Sequence, residues 1–422
     1  MKRSSNYYRT PQNGRYANQN HYRNDRNYAY NTEETRFSPD KTVYLDNAAT
    51  SFPKPPSVAE EMVRCVNEYG GNPGRGSHLL SRRAGEKINE ARELASQIFG
   101  STKPENTVFT HNATEALNMA IFSAVKNGGH ILISDIEHNS VYRPVYMLSQ
   151  QGRATFDVYP STGTPEEIVK GIEDRIKSDT VLVIACHKSN ICPIELPIDD
   201  IGELCAMRGI KFIVDASQSA GNSTIDIKKC RAWAICAPGH KGLYGPQGSG
   251  MIVFGETSGV SEIFPFYFGG SGVSTSESEM PTVMPHRMEA GTLPTPAIAG
   301  LCEGMKYVIE RGAQNIGRHE NTLMLYAKEK LSSLNKVKIY LPGDDRGSIL
   351  LFNLDGVPCR ECADILDRRG ICVRSGLHCS PLAHRRVGSY NVGGVRASFG
   401  AFSQKDDVER LYDALRYIAN NR

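Results

Sequence analysis

The sequence has no run of apolar residues long enough to cross a membrane. A membrane-spanning helix needs about 18 or more consecutive apolar residues, and no stretch of this chain of 422 residues comes close to that length. The N-terminus also lacks the apolar segment of a secretory signal peptide. We therefore expect a cytoplasmic protein that does not associate with membranes.

Cysteine is present, but not in the pattern of a disulfide framework. The chain has 11 cysteines, an odd number that cannot all pair within one molecule. Without a secretion signal, these thiols are expected to be reduced. Cys359 and Cys362 form a single Cys-x-x-Cys pair without a second ligand pair, so we predict no metal site.

Excess charge is confined to the N-terminal end. The net charge is +3, and residues 1–36 contribute +4 (seven basic and three acidic side chains), which leaves the rest of the chain near −1. A nearly neutral body gives no sign of a nucleic-acid groove. Residues 1–40 are rich in Asn, Tyr, Arg and Ser, so we predict a disordered tail. Such a tail could instead bind RNA or a partner, which is the non-enzymatic alternative.

From residue 41 onward, short apolar runs alternate with helical patterns. This alternation predicts an α/β fold with a mostly parallel sheet flanked by helices. We expect a large domain at residues 41–299, whose first residues contribute to a smaller α+β domain at residues 300–422. The predicted strands of the large domain are Thr107–Thr110, His130–Ser134, Thr180–Ala185, Lys211–Val214, Ala232–Ala237 and Gly250–Phe254.

Polar residues follow five of these strands. Ligands of open parallel sheets bind outside the carboxyl ends of the strands, so these side chains could converge on one site. They are Asn112 and Thr114, Glu137 and His138, His187 and Asn190, Asp215 and Gln218, and His240 and Lys241.

Lys241 lies in a glycine-rich turn that lacks the spacing of a P-loop. A lysine in a tight, partly desolvated turn can have a lowered pKa and form a Schiff base. Asp215 ends a strand, where its carboxylate could pair with a protonated pyridine nitrogen or cap a helix. Residues 112–118 begin a helix whose amides could hold a phosphate. Together these features predict pyridoxal 5'-phosphate as the cofactor.

Cys379 is the thiol with the most favourable surroundings for reactivity. A thiolate is the reactive form of cysteine, and nearby cationic groups lower the pKa of the thiol. We expect Cys186, Cys236, Cys302 and Cys372, which lie among apolar residues, to belong to the core. The residues expected to make the segment around Cys379 electropositive are Arg374, His378, His384, Arg385 and Arg386.

The chain resembles the class V aminotransferases, specifically their cysteine desulfurase and selenocysteine lyase branch. The resemblance covers about residues 42–420 and implies a pyridoxal-phosphate-dependent transferase of fold type I. The segments that carry it are 44–50, 112–115, 137–139, 215–218, 239–241 and 289–292, with 374–379 resembling the short-loop type of desulfurase.

The resemblance implies a role for each matching position around the cofactor. Lys241 would hold the cofactor covalently, and Asp215 would pair with its pyridine nitrogen. Gln218 would bond the ring hydroxyl, and His138 would stack on the ring. The phosphate would be held by Ala113, Thr114, His240 and, from a neighbouring subunit, Thr292, which implies a homodimer. Many relatives have a hydroxyl residue at the position of Pro238, so one phosphate contact is absent here.

The resemblance also implies a reaction. Cys379 would attack the sulfur of L-cysteine and become a persulfide, L-alanine would leave, and an acceptor protein would take the sulfur, as in iron–sulfur cluster assembly. Arg396, with Arg374 and Asn190, would bind the substrate, a guanidinium being suited to a carboxylate. Two related activities stay open: a selenocysteine lyase with the same residues, and another class V aminotransferase or lyase reaction that needs no thiol.

Overall fold

The computed structural model describes residues 42–74, 76–256, 258–341 and 345–421. The predicted tail at residues 1–40 lies outside these ranges. Within them, no helix combines the length and the apolar composition that a bilayer crossing requires.

The strands in the described ranges form a pair, a four-stranded sheet and a seven-stranded sheet. Their bounds are β1 Val43–Tyr44, β2 Thr107–Thr110, β3 His130–Ser134, β4 Thr155–Tyr159, β5 Thr180–Cys186, β6 Lys211–Asp215, β7 Ala234–Pro238, β8 Gly250–Phe254, β9 Val337–Ile339, β10 Ile349–Leu354, β11 Ile371–Cys372, β12 Arg374–Gly376 and β13 Gly394–Ser398.

Helices connect most of these strands. They are α1 Pro56–Arg64, α2 Leu79–Phe99, α3 Ala113–Ala124, α4 Asn139–Gln150, α5 Pro165–Glu173, α6 Ile198–Met207, α7 Thr295–Arg311, α8 Ala313–Ser332, α9 Cys359–Asp367, α10 Pro381–Arg386 and α11 Lys405–Asn421.

The seven-stranded sheet has the order β2-β8-β7-β6-β5-β3-β4. Its neighbours pair in parallel, except that β8 runs antiparallel to both β2 and β7. The prediction of a mostly parallel sheet is therefore confirmed, and the six predicted strands lie within two residues of their expected bounds. The sequence did not indicate β4, an edge strand that begins at an exposed residue and is mostly half-buried.

The sheet separates two apolar layers. Successive side chains of a strand point to opposite faces, and Leu132 of β3 joins one core cluster while Ile131 and Ile133 join the other. Residues of α2, α5, α6 and α7 cover the first face, and residues of α3 and α4 cover the second. Burial on both faces explains why the central strands read as continuous apolar runs.

The four-stranded sheet is antiparallel and has the order β12-β13-β10-β9. Beside it, β1 pairs in parallel with β11, so that Val43 lies opposite Ile371. Val43 and Leu45 are fully buried in the apolar cluster formed by residues 323–419. The chain segment that precedes the large sheet thus packs with the C-terminal part, and the domain boundary at residues 299–300 stays a prediction.

Candidate active site

Lys241 and Asp215 lie at the carboxyl ends of neighbouring strands. Asp215 ends β6, which pairs with β7, and Lys241 lies in the turn that follows β7. Burial lowers the pKa of Lys241 to about 8, although the negative charge of Asp215 opposes this shift. The neutral amine needed for a Schiff base is therefore accessible near neutral pH.

Asp215 is only 2% exposed, and its Oδ1 accepts the backbone N–H of Ser217 at 2.9 Å. Burial raises the pKa of the Asp215 carboxyl, while the charge of Lys241 lowers it. A buried carboxylate favours a cationic partner. A protonated pyridine nitrogen is such a partner, so this position fits the cofactor.

The first turn of α3 forms a cradle that suits a phosphate. Asn112 caps the helix by accepting the N–H of Glu115 at 2.9 Å. The amides of Ala113 and Thr114 open the helix and have no acceptor within it, and they lie at its positive end. The backbone of Gly250 passes so close that an added Cβ would lie 2.8 Å from the carbonyl carbon of Asn112. Strand β8 therefore closes one side of the cradle.

Residues near the start of the described chain fix the position of His240. Its carbonyl oxygen accepts hydrogen bonds from Thr50 Oγ1 at 3.0 Å, Ser51 Oγ at 3.2 Å and Lys54 Nζ at 3.1 Å. Burial lowers the pKa of His240 to about 4, so the ring is neutral at pH 7. Its buried Nδ1 has no partner among the described residues. Lys54 was not predicted from the sequence, where its only signal is a lysine in a proline-rich turn.

His138 is tied to the same cradle through Ser140. The Nδ1 atom of His138 accepts the backbone N–H of Ser140 at 3.1 Å. The hydroxyl of Ser140 lies 2.9 Å from that nitrogen and 2.7 Å from Thr114 Oγ1. Burial lowers the pKa of His138 to about 4, and the charges of Lys241, Arg374 and Arg396 lower it further. The charges of the lysine turn and of the two arginines predicted to bind substrate therefore all act on His138.

The Cys379 segment reaches this site through a backbone hydrogen bond. The N–H of Asn139, the residue after His138, donates to the carbonyl of Cys379 at 2.8 Å. Cys379 is exposed and adopts a φ of +57°, and His378 adopts +50°. Arg374 Nη2 lies 3.7 Å from Cys379 Sγ. The guanidinium of Arg374 is therefore placed to stabilise a thiolate.

The expectation that two histidines add positive charge to this segment is wrong. His378 and His384 stack with their ring planes 7° apart and share a hydrogen bond of 3.1 Å between Nδ1 and Nε2. Burial lowers the pKa of His378 to about 2 and that of His384 to about 4. Both rings are neutral at pH 7, so arginine supplies the cationic charge.

Arg396 is bonded to Asn190, and Asn190 in turn is bonded to the residues on both sides of Cys379. Arg396 is 1% exposed; its Nη2 donates to Asp46 Oδ1 at 2.5 Å and its Nη1 to the Asn190 carbonyl at 3.0 Å. The amide of Asn190 bonds the carbonyl of His378 at 2.9 Å and the hydroxyl of Ser380 at 2.6 Å. Arg396 Nε is buried without an acceptor in the described ranges. This unpaired donor fits a substrate carboxylate.

Substitution of Arg396 by lysine should weaken substrate binding more than catalysis. A lysine cannot reproduce the planar fork of the guanidinium or hold Asp46 and Asn190 together. We expect kcat/KM to fall by about tenfold to a hundredfold, mostly through KM. Steady-state kinetics at several substrate concentrations would measure this, and an unchanged KM would contradict the assignment.

Gln218 lines the same cavity as Lys241, whereas Thr292 does not. Gln218 Nε2 donates to the carbonyl of Ala48 at 2.9 Å, so one amide N–H remains for the ring hydroxyl. Gln218 and Lys241 line one small cavity, and Thr292 is not among the described residues that line it. Thr292 is exposed, while Glu289 nearby is anchored by the buried Arg92 at 2.7 Å.

The remaining cysteines are less accessible than Cys379. Cys186, Cys236 and Cys302 are buried as predicted, whereas Cys372 is only half-buried. Cys359 and Cys362 lie in the first turn of α9, and Cys359 Sγ donates to the carbonyl of Val392 at 3.3 Å. Cys379 is the one exposed thiol among the described residues.

Comparisons with known proteins identify the family. Residues 43–411 match the family model "Aminotransferase class-V", and the chain belongs to that family of enzymes. A probable cysteine desulfurase of Halobacterium salinarum is 31% identical over 383 residues, which cover 88% of this chain and 90% of the relative. A probable cysteine desulfurase of Methanothermobacter thermautotrophicus is 32% identical over 89% of this chain and 94% of its own.

A solved structure gives the same result. The apo cysteine desulfurase of Thermococcus onnurineus matches with a TM-score of 0.83 and 29% identity, over 92% of this chain and 100% of the other. The predicted fold type I and the predicted cysteine desulfurase branch are thereby confirmed.

Proposed function

We propose that this protein is a pyridoxal-phosphate-dependent cysteine desulfurase that converts L-cysteine to L-alanine and holds the sulfur as a persulfide on Cys379. The observation that carries the proposal is the exposed thiol of Cys379, fixed beside His138 by the 2.8 Å bond to Asn139, with Arg374 at 3.7 Å. Lys241, whose charge acts on His138, and Asp215, whose charge acts on Lys241, would supply the cofactor residues.

The cofactor residues fit pyridoxal phosphate as a set. Lys241 would bind its aldehyde carbon, Asp215 its pyridine nitrogen and Gln218 its ring hydroxyl. The amides of Ala113 and Thr114, with the neutral ring of His240, would hold its phosphate. When bound, this cofactor supplies an electron sink for the pair left on the substrate α-carbon.

Protein side chains would carry out substrate binding, proton transfer and the attack on sulfur. Arg396 would bind the substrate carboxylate, with Asn190 holding the adjacent loop. The freed amine of Lys241, whose pKa burial lowers to about 8, is suited to move the α-proton. The thiolate of Cys379 would attack the substrate sulfur: an S–S bond forms, the C–S bond breaks, and its electron pair stays with the β-carbon, which takes up a proton and becomes the methyl group of alanine.

The direct test is the stoichiometry of products. Purified protein with added pyridoxal phosphate and L-cysteine should release alanine, and a persulfide should be detected on Cys379 by mass spectrometry of the peptide. Pyruvate or keto-acid formation in place of alanine would instead favour another class V lyase or aminotransferase reaction. Competition between cysteine and selenocysteine, with alanine measured, would decide whether the enzyme is a selenocysteine lyase.

We also propose that the active sites are shared within a homodimer. Thr292 is exposed and lies apart from the Lys241 cavity, as a residue that serves a neighbouring subunit would. Its segment is fixed by Gly291 N–H to the carbonyl of Gly270 at 2.8 Å. That bond connects it to an aromatic stretch that includes Phe264, 47% exposed, and Phe268, 69% exposed. Such exposed aromatics favour burial against a second copy.

If the sites are shared, Lys241→Ala and Thr292→Ala subunits, each expected to be impaired alone, should restore activity when they are combined in one heterodimer. Co-expression of Lys241→Ala with Thr292→Ala gives heterodimers in which one site has both wild-type residues. With random pairing in a two-fold dimer, activity should return to about a quarter of wild type. Separately expressed variants, mixed without subunit exchange, provide the control. Absence of recovery in verified heterodimers would contradict a shared site.

An acceptor protein for the sulfur follows from the same proposal. Because Cys379 is exposed, a partner thiol can reach it from solvent. The RNA- or partner-binding alternative for the tail concerns residues outside the described ranges.

A further inference from the structure

Glu137 is a completely buried acid that the proposed reaction does not use. It follows β3 and is 0% exposed. Its Oε1 accepts the hydroxyl of Ser134 at 2.7 Å and the N–H of Cys186 at 2.8 Å. Its Oε2 is also buried and has no partner in the described part of the chain. One oxygen therefore has two donors and the other has none.

Glu137, Cys186 and Asp215 form a group at the carboxyl ends of β3, β5 and β6. One carboxylate oxygen of Glu137, one of Asp215 and the sulfur of Cys186 all lie within 4.8 Å of one another. Two carboxylates this close in a buried site do not both ionise readily. The charge of Lys241 acts on Asp215 and on Cys186, and a cofactor nitrogen would add a second cation at Asp215.

The other titratable groups around Glu137 have partners of their own. Tyr159, at the end of β4, donates its hydroxyl to the Ile184 carbonyl at 2.8 Å. Cys186, at the end of β5, donates its thiol to the Lys188 carbonyl at 3.1 Å. Asp135, beside Glu137 on the chain, lies 3.5 Å from Arg386. Burial, and then the charge of Asp215, raise the pKa of Glu137 to about 8.

We propose that Glu137 is a neutral carboxylic acid that stands behind Asp215 and, as a positioning residue, keeps Asp215 the sole anion at the pyridine end of the cofactor. The two donors on Oε1 leave Oε2, which is buried and has no partner in the described ranges, to carry the proton. An ionised Glu137 would place a second negative charge close to Asp215 and raise the proton affinity of that carboxylate. The inference rests on the role proposed for Asp215.

The test measures the proton on Glu137 directly, in protein freed of cofactor. Infrared spectroscopy detects the C=O stretch of a protonated carboxylic acid. We would record it in a Glu320→Gln background, because burial also raises the pKa of Glu320, to about 7. Burial raises the pKa of Asp135 and Asp215 as well, so the Glu137 band is assigned from the difference between the background protein and the same protein with Glu137→Gln. At pH 7 this difference spectrum should contain a band of a protonated acid, and a difference spectrum without one would overturn the proposal.

A second variant tests the coupling to Asp215. Asp215→Asn removes the neighbouring negative charge, so Glu137 should ionise more easily. The pH at which its band disappears should fall by on the order of one unit, a shift that a purely structural role would not cause. An unmoved midpoint would also overturn the proposal. Because neither measurement involves cofactor or substrate, a failure of desulfurase activity alone would remove the proposed function and leave these results standing.

Discussion

Substitution of Lys241 by alanine should abolish both turnover and the visible absorbance of bound cofactor. Lys241 is the amine at the ends of β6 and β7 whose pKa burial lowers, beside the buried carboxylate of Asp215. Under the proposed function, Lys241 binds the cofactor covalently and moves the α-proton, so its loss should remove both roles. We expect cysteine turnover to fall by at least about a thousandfold. Absorbance spectra and alanine release would be measured on the same preparation.

Lys229→Ala is the matched control for this variant. The Lys229 side chain is 73% exposed and pairs with Asp199 on the surface, so its loss should change neither signal. If Lys241→Ala kept the wild-type absorbance and turnover after dialysis, the cofactor would be bound elsewhere and the site as described would be incorrect.

Substitution of Cys379 by alanine should abolish sulfur transfer and leave cofactor binding intact. The thiol is exposed and its backbone, not its side chain, makes the bond to Asn139, so the fold and cofactor binding should survive. Sulfur transfer needs a nucleophile at that position and should fall by at least about a thousandfold. The cofactor absorbance should persist at the wild-type level.

Cys359→Ala controls for the loss of a thiol. Cys359 is half-buried in α9 and bonded to the Val392 carbonyl, away from the lysine turn. Its substitution should leave desulfurase activity unchanged. Full desulfurase activity in Cys379→Ala would contradict the proposed nucleophile and favour a lyase mechanism that needs no thiol.

The central sheet and the convergence of polar strand ends were readable from the sequence. Strands buried on both faces leave uninterrupted apolar runs, and the carboxyl ends of parallel strands share one edge, so Asp215, His138 and Lys241 could be grouped in advance. Strand β4 was not readable because its edge position leaves it half-exposed. Ser140 was missed because its role depends on a contact with Thr114, which a single sequence does not show.

The charge of the segment around Cys379 could not be predicted fully from the sequence. A histidine near an arginine reads as positive, yet the stacked rings of His378 and His384 are buried and neutral. Burial and side-chain pairing come from tertiary packing, which the local sequence does not report. The same holds for Asn190: the family resemblance implied substrate contact, and the structure adds that its side-chain amide holds the residues on both sides of Cys379.

The hydrogen bonds that fix the backbone around Cys379 limit how far its sulfur can move. The residue is held from before and after by Asn190 and through its own carbonyl by Asn139, so only rotation of its side chain can move the sulfur. A persulfide on such a residue cannot swing out over the surface to meet an acceptor. We therefore expect the acceptor to bring its own thiol to the exposed sulfur of Cys379, beside Arg374.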